Sequence, residues 1–215
     1  MIKAIIFDFW GTLVENGVFP SPLRVAQQML WLRIPFSDFA ARFENAFYTK
    51  PFESLSKGFE AVCAEFHKFP KEWLIEKLVG MWNKNRLLAK LFPETISVLD
   101  DLKSEYKLAL ISNTDAFSVE PTLEKFDLAK YFDAIVLSYK IGALKTQPEM
   151  FEEVIKQLGV KKEHVVMVGD SIETDMTGAE NAGIKGVLVD RRSKREYKYK
   201  ITDLNGLREI LTKIG

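Results

Sequence analysis

The sequence predicts an α/β fold: a doubly wound parallel sheet with an inserted α-helical subdomain. Three observations predict it. Five short apolar runs read as buried strands, helical patterns alternate with them, and residues 16–91 alone carry helical periodicity without a strand.

The strand runs are Lys3–Asp8, Lys107–Ser112, Ala134–Ser138, Val165–Gly169 and Gly186–Asp190. They are continuous rather than alternating, as in Ile5-Ile6-Phe7 and Val165-Val166-Met167-Val168. Continuous runs are expected where helices cover both faces of a parallel sheet. The helical patterns between and after them fall at Glu94–Ser104, Val119–Phe126, Pro148–Leu158, Thr174–Ala182 and Thr202–Thr212.

The interval that breaks the alternation is dense in aromatic residues, among them Phe36, Phe39, Phe43, Phe47, Phe59, Phe66, Trp73 and Trp82, and is punctuated by Pro20, Pro35, Pro51 and Pro70. It reads as a helical subdomain inserted after the first strand, entered near Val14–Pro20 and left near Lys84–Pro93. This divides the chain into a core of residues 1–15 and 92–215 and an insert of residues 16–91. Most of the aromatics are expected to form the insert's own core, with one or two facing the cleft.

Composition bounds the function. At 215 residues the chain suits one large domain, or one carrying an insert, given about 150 residues per domain. Thirty basic and thirty acidic residues cancel, so no overall charge favours nucleic acid or an anionic membrane. Cys63 is the only cysteine, which excludes an internal disulfide and gives no sign of an oxidising compartment. The apolar run before Asp8 is too short for a signal peptide, and no stretch approaches the ~18 residues needed to span a bilayer. A cytoplasmic protein is expected, with a small anionic molecule as partner and as either monomer or homodimer.

In an open parallel sheet, ligands bind beyond the carboxyl ends of the strands. Those ends carry Asp8, Ser112-Asn113-Thr114 and Gly169-Asp170-Ser171, with Lys145 in the loop after the third run. Asp8, Ser112 or Asp170 taken singly reads equally well as a turn or helix cap. Lys145 is harder to explain that way, because it lies just ahead of a helix opening at Gln147-Pro148, where the helix dipole disfavours a cation. A bound anion would account for it. Gly142–Thr146 echoes a nucleotide-binding loop but lacks the glycine before the lysine. The basic run Arg191–Lys200 reads first as a solvated surface, and second as a weak attractor of anionic substrates.

The run Asp8-Phe9-Trp10-Gly11-Thr12-Leu13-Val14 resembles the first motif of the haloacid dehalogenase-like hydrolases, a family with a Rossmann-like sheet. Ser112 in Ile111-Ser112-Asn113-Thr114 is similar to the second motif, Lys145 to the third, and Val168-Gly169-Asp170-Ser171-Ile172-Glu173-Thr174-Asp175 to the acidic fourth. The insert stands where many members carry a helical cap. The resemblance implies that Asp8 is the nucleophile and that Lys145 neutralises it and the phosphate. It implies phosphate binding by Gly11, Thr12, Ser112, Asn113 and Lys145. Mg²⁺ would be held by Asp8, the main-chain carbonyl of Trp10 and Asp170, with Asp175 in support. An anionic nucleophile attacking an anionic ester needs such cations to suppress repulsion.

One position departs from the family pattern. Phosphatases of this family usually place a second aspartate two residues after the nucleophile, to protonate the departing alcohol; here that residue is Trp10. Indole is no general acid at neutral pH, and losing such a group typically costs ~10²–10⁴ in rate. Three readings stay open. A phosphatase would use good leaving groups or take its acid from elsewhere, Glu15 and His67 being candidates. A 2-haloacid dehalogenase needs no acid but needs an arginine (Arg24, Arg33, Arg42 or Arg86) to grip a carboxylate, while a phosphonate-cleaving variant needs a lysine such as Lys50 or Lys57. A binding protein would retain only the phosphate site. The phosphatase reading leads.

Overall fold

The computed structural model describes residues 1–215. Its main sheet holds β1 (Ala4–Phe7), β4 (Lys107–Ser112), β5 (Ala134–Leu137), β6 (Val165–Gly169), β7 (Lys185–Val189) and β8 (Lys200–Ile201) in the order β5-β4-β1-β6-β7-β8. Every pairing in it is parallel. The chain runs outward from β1 through β4 to β5, then returns to the other side of β1 for β6. The strand order thus reverses at β1, and the crevice beyond its carboxyl end is the place where such sheets bind ligands.

Successive strand residues point to opposite faces, so each continuous apolar run feeds two cores. Ile5, Phe7, Leu108, Leu110, Val166 and Val168 pack on one face, with α5 (Thr95–Lys103), α6 (Val119–Lys125) and α10 (Leu207–Ile214). Ala4, Ile6, Ala109, Ile111, Val165 and Met167 pack on the other, with α8 (Pro148–Leu158) and α9 (Thr177–Asn181). Helix α8 starts with Pro148 at its first position and ends at Gly159 in the left-handed conformation, which fixes both of its boundaries in the sequence.

The insert holds α1 (Pro22–Met29), α2 (Phe36–Tyr48), α3 (Leu55–Glu65) and α4 (Glu72–Leu88). Phe39, Phe43, Phe47, Phe59 and Trp82 form its interior, with ring pairs such as Phe47–Phe59 at 4.9 Å. The chain enters and leaves it through a short antiparallel pair, β2 (Val14–Glu15) with β3 (Lys90–Leu91). These two-residue strands and β8 are too short to leave a periodic signature. The pattern at Thr174–Ala182 divides into a π-helical turn, Ile172–Met176, followed by α9. The pattern at Thr202–Thr212 opens as a 3₁₀ turn, Leu204–Gly206, before α10.

Candidate active site

Asp8 directly follows β1, its N–H bonded to the Val168 carbonyl at 2.9 Å. Its two carboxylate oxygens have different partners. Oδ2 accepts from the Thr12 hydroxyl at 2.9 Å, and Oδ1 lies 2.5 Å from Lys145 Nζ. The same ammonium reaches Asp175 Oδ1 at 2.5 Å. Lys145 is only 3% exposed. Burial opposes its charge, but the Asp175 and Asp8 carboxylates more than offset this and hold its pKa above the ordinary lysine value. Two carboxylates therefore suffice to account for a cation ahead of α8.

Asp175 reaches Lys145 because the chain after β6 takes a π turn. The Asp175 and Met176 N–H groups both bond the Ser171 carbonyl at 3.1 Å, and Asp175 Oδ2 accepts from Ser171 N–H at 3.0 Å. Such turns recur at functional sites, where they re-aim a side chain. Gly169 permits it, since a Cβ there would sit 2.3 Å from Asp175 Oδ2. Gly11 is required twice over: its φ is +84°, and a Cβ would sit 2.3 Å from Asp170 Oδ2.

One carboxylate oxygen from each of Asp8, Asp170 and Asp175 lies within 4.8 Å of the other two. Three carboxylates against one ammonium leave two negative charges to be offset. Asp170 has the weakest compensation: burial, then Asp8 and Asp175, push its pKa well above the carboxylate range. A divalent cation fits that charge imbalance and that all-oxygen donor set.

Ser112, Asn113, Lys145, Trp10, Asp8, Asp170 and Asp175 all line one cavity of about 540 Å³ between sheet edge and insert. Gly11 and Thr12 do not line it; Thr12 is fully buried beneath Asp8. Asn113 bridges instead of standing free. Its Oδ1 accepts from Lys145 N–H at 2.9 Å, and its amide donates to Glu44 Oε2 of α2 at 2.8 Å. Burial pushes the Glu44 carboxyl up to about 7; the Asn113 hydrogen bond and Lys145 act against it, and Asp175 and Asp8 with it. Nothing in the sequence marked Glu44, one of thirty acidic residues in the chain, on an amphipathic helix.

The other candidates separate cleanly. Of the four arginines only Arg24 reaches the cavity, stacked over Phe36 at 3.9 Å, while Arg42 pairs with Glu65 on the surface. Neither Lys50 nor Lys57 lines the cavity, and Lys57 pairs with Glu60. Glu15 and His67 are exposed and outside it.

The basic run is not a plain solvated surface. Arg191 donates to the Thr12 carbonyl at 2.8 Å and the Gly11 carbonyl at 3.3 Å, pairs with Glu94 at 2.8 Å, and stacks on Phe92. Arg195 donates to the Asp170 carbonyl and to Asp190. Both arginines brace the two loops that carry Asp8 and Asp170. The signal available in the sequence was their position after a strand, on the ligand edge.

The fold and the acidic, lysine-bearing strand ends define a hydrolase class. The family model for haloacid dehalogenase-like hydrolases matches residues 2–183, and the chain belongs to that family. It is 29% identical to glyceraldehyde 3-phosphate phosphatase from Methanothermobacter thermautotrophicus, over 98% of this chain and all of the relative. It resembles the crystal structure of a HAD phosphatase from Thermococcus onnurineus at TM-score 0.62 and 27% identity, over 98% of each chain. It also matches L-2-haloacid dehalogenase from Xanthobacter autotrophicus at TM-score 0.70 over all of both chains, but at 18% identity that likeness is one of fold. No helix is long and apolar enough to cross a membrane.

Proposed function

We propose that the protein is a Mg²⁺-dependent phosphatase of a small phosphorylated metabolite, with Asp8 as nucleophile and residues 16–91 as a cap over the site. The observation that carries this is the shared Lys145 ammonium, 2.5 Å from both Asp8 and Asp175. It fixes the orientation of the Asp8 carboxylate by a charge-assisted bond. The full-length similarity to a glyceraldehyde 3-phosphate phosphatase supports a short phosphorylated carbon chain as substrate.

Asp8 attacks phosphorus, the bond from phosphorus to the leaving oxygen breaks, and an aspartyl phosphate forms. Water then attacks that phosphorus and frees Asp8. Lys145 offsets the charge of the nucleophile and the phosphoryl group, while Ser112 and Asn113 position the phosphoryl group at the end of β4. Gly11 and Thr12 support from below: Thr12 holds Asp8 Oδ2, and Gly11 makes room for Asp170. Asp8 and Asp170, with the Trp10 main-chain carbonyl, would hold Mg²⁺, which when bound supplies positive charge against repulsion between carboxylate and phosphate. Asp175 holds Lys145 in place. The cap excludes bulk water and shapes the cavity.

A matched assay tests this: release of phosphate from phosphate esters and of halide from 2-haloacids, each with and without Mg²⁺. Metal-dependent phosphate release that falls by at least ~10³-fold in Asp8→Asn is expected. Metal-independent halide release would sink the reading in favour of a dehalogenase.

A further inference from the structure

Trp10 leaves the leaving group without its usual proton donor, and neither Glu15 nor His67 lines the cavity. The cavity wall opposite the sheet edge does hold a carboxyl, on Glu44 of α2. We propose that Glu44 is the general acid of this enzyme, supplied by the cap in place of the residue lost at Trp10. This rests on the phosphatase reading above and completes it.

The hydrogen bonds at Asn113 decide where the proton on Glu44 sits. The Asn113 carbonyl oxygen must accept from Lys145 N–H, so its amide nitrogen faces Glu44 and donates to Oε2. Oε2 is therefore an acceptor, and a proton on this carboxyl sits on Oε1, which takes no other hydrogen bond and belongs to a side chain lining the cavity. The same asparagine is bonded to the main chain of Lys145, so the acid is held in register with the lysine that contacts the nucleophile.

In the first step Asp8 forms its bond to phosphorus while the bond to the leaving oxygen breaks, and the Oε1 proton passes to that oxygen to give the alcohol. Glu44 is left as a carboxylate. In the second step it takes a proton from the attacking water, and the bond between phosphorus and Asp8 breaks. Phosphate and regenerated Asp8 leave, and Glu44 is again protonated. Atoms and charge balance over the cycle.

The charged groups around Glu44 suit this role. Lys145 faces it from the loop before α8, Asp8 and Asp175 from the sheet edge, and Tyr48 lies on its own helix. Arg24 of α1 also lines the cavity. Burial sets a value of about 7, so the carboxyl is substantially protonated at neutral pH. Donor and acceptor forms are then both accessible, as acid–base catalysis needs.

The experiment compares kcat/KM for p-nitrophenyl phosphate, whose leaving group needs no proton, with kcat/KM for glyceraldehyde 3-phosphate, an alkyl ester. This parameter reports steps only through alcohol release. In Glu44→Gln, which keeps an acceptor for Asn113, the alkyl ester should lose ~10²–10⁴-fold while the aryl ester changes less than about threefold. The wild-type alkyl profile should fall as pH rises above about 7, and the variant should lack that limb. Trp10→Asp added to Glu44→Gln should restore at least about tenfold on the alkyl ester. Equal losses on both esters, or none on either, would overturn the assignment, as would a wild type active on the aryl ester alone. Absence of wild-type phosphate release from both esters would instead defeat the phosphatase reading itself.

Discussion

Lys145 and Glu44 show how burial and neighbouring charge set the protonation of single residues. Both are bonded to Asn113, and burial acts on them in opposite senses, against the proton of the lysine and for that of the carboxyl. For lysine, two carboxylates outweigh burial; for Glu44, burial outweighs its one hydrogen bond. The second case has a consequence for stability. A carboxyl whose folded pKa is raised from 4.5 to about 7 binds more protons folded than unfolded between those values. Its stabilising contribution is complete below about 4.5 and is lost as pH rises through about 7. Glutamine has no such dependence. Thermal unfolding should therefore show Glu44→Gln gaining on wild type between pH 5 and pH 8, by about 1–3 kcal/mol at the upper end given ~1.4 kcal/mol per pK unit and partial screening beside the cavity. A constant difference across that range would contradict the raised value.

At the scale of elements, three loops must hold their register for the strand ends to form a site. The loop after β4 is tied by the Ser138 hydroxyl, which accepts from Thr114 N–H at 2.9 Å and donates to the Thr114 carbonyl at 3.1 Å. The loop after β6 makes its own π turn and leans on Arg195, while the loop after β1 leans on Arg191. These arginines come from the segment after β7, so a stretch that resembles surface in the sequence is part of the site's frame. Groups that orient metal ligands typically govern affinity by ~10–100-fold. Arg195→Met should weaken Mg²⁺ binding by that factor, measured by calorimetry, with the fold retained in circular dichroism. Unchanged affinity would show that the Asp170 loop holds itself.

Across the whole molecule, what the sequence made legible follows from physical signal strength. Long apolar runs and strongly capped helices were readable to within a residue or two: β4, β6 and α8 fall where their patterns begin and end. The pair β2–β3 was not, because two residues per strand carry no periodicity and only the return of the chain at Leu91 creates the partner for Val14. The same distinction holds at the site. Asp8, Ser112, Lys145 and Asp170 sit at strand ends or beside a helix start, places where position implies use. Glu44, Arg191 and Arg195 become visible only when the cap and the segment after β7 fold against the sheet. Trp82 illustrates the closure: its indole N–H donates to Asp115 Oδ2 at 2.9 Å, joining α4 to the loop after β4 in a buried contact.

The role of Asp8 unites these scales, and it can be read directly. Enzyme quenched in acid during turnover of a ³²P-labelled phosphate ester with Mg²⁺ should carry acid-stable, hydroxylamine-labile label on the peptide containing Asp8. The label should be absent from Asp8→Asn and should rise in Glu44→Gln given an aryl ester, because hydrolysis of the intermediate slows there. Steady phosphate release with no label on Asp8, or with the label on another residue, would contradict the account.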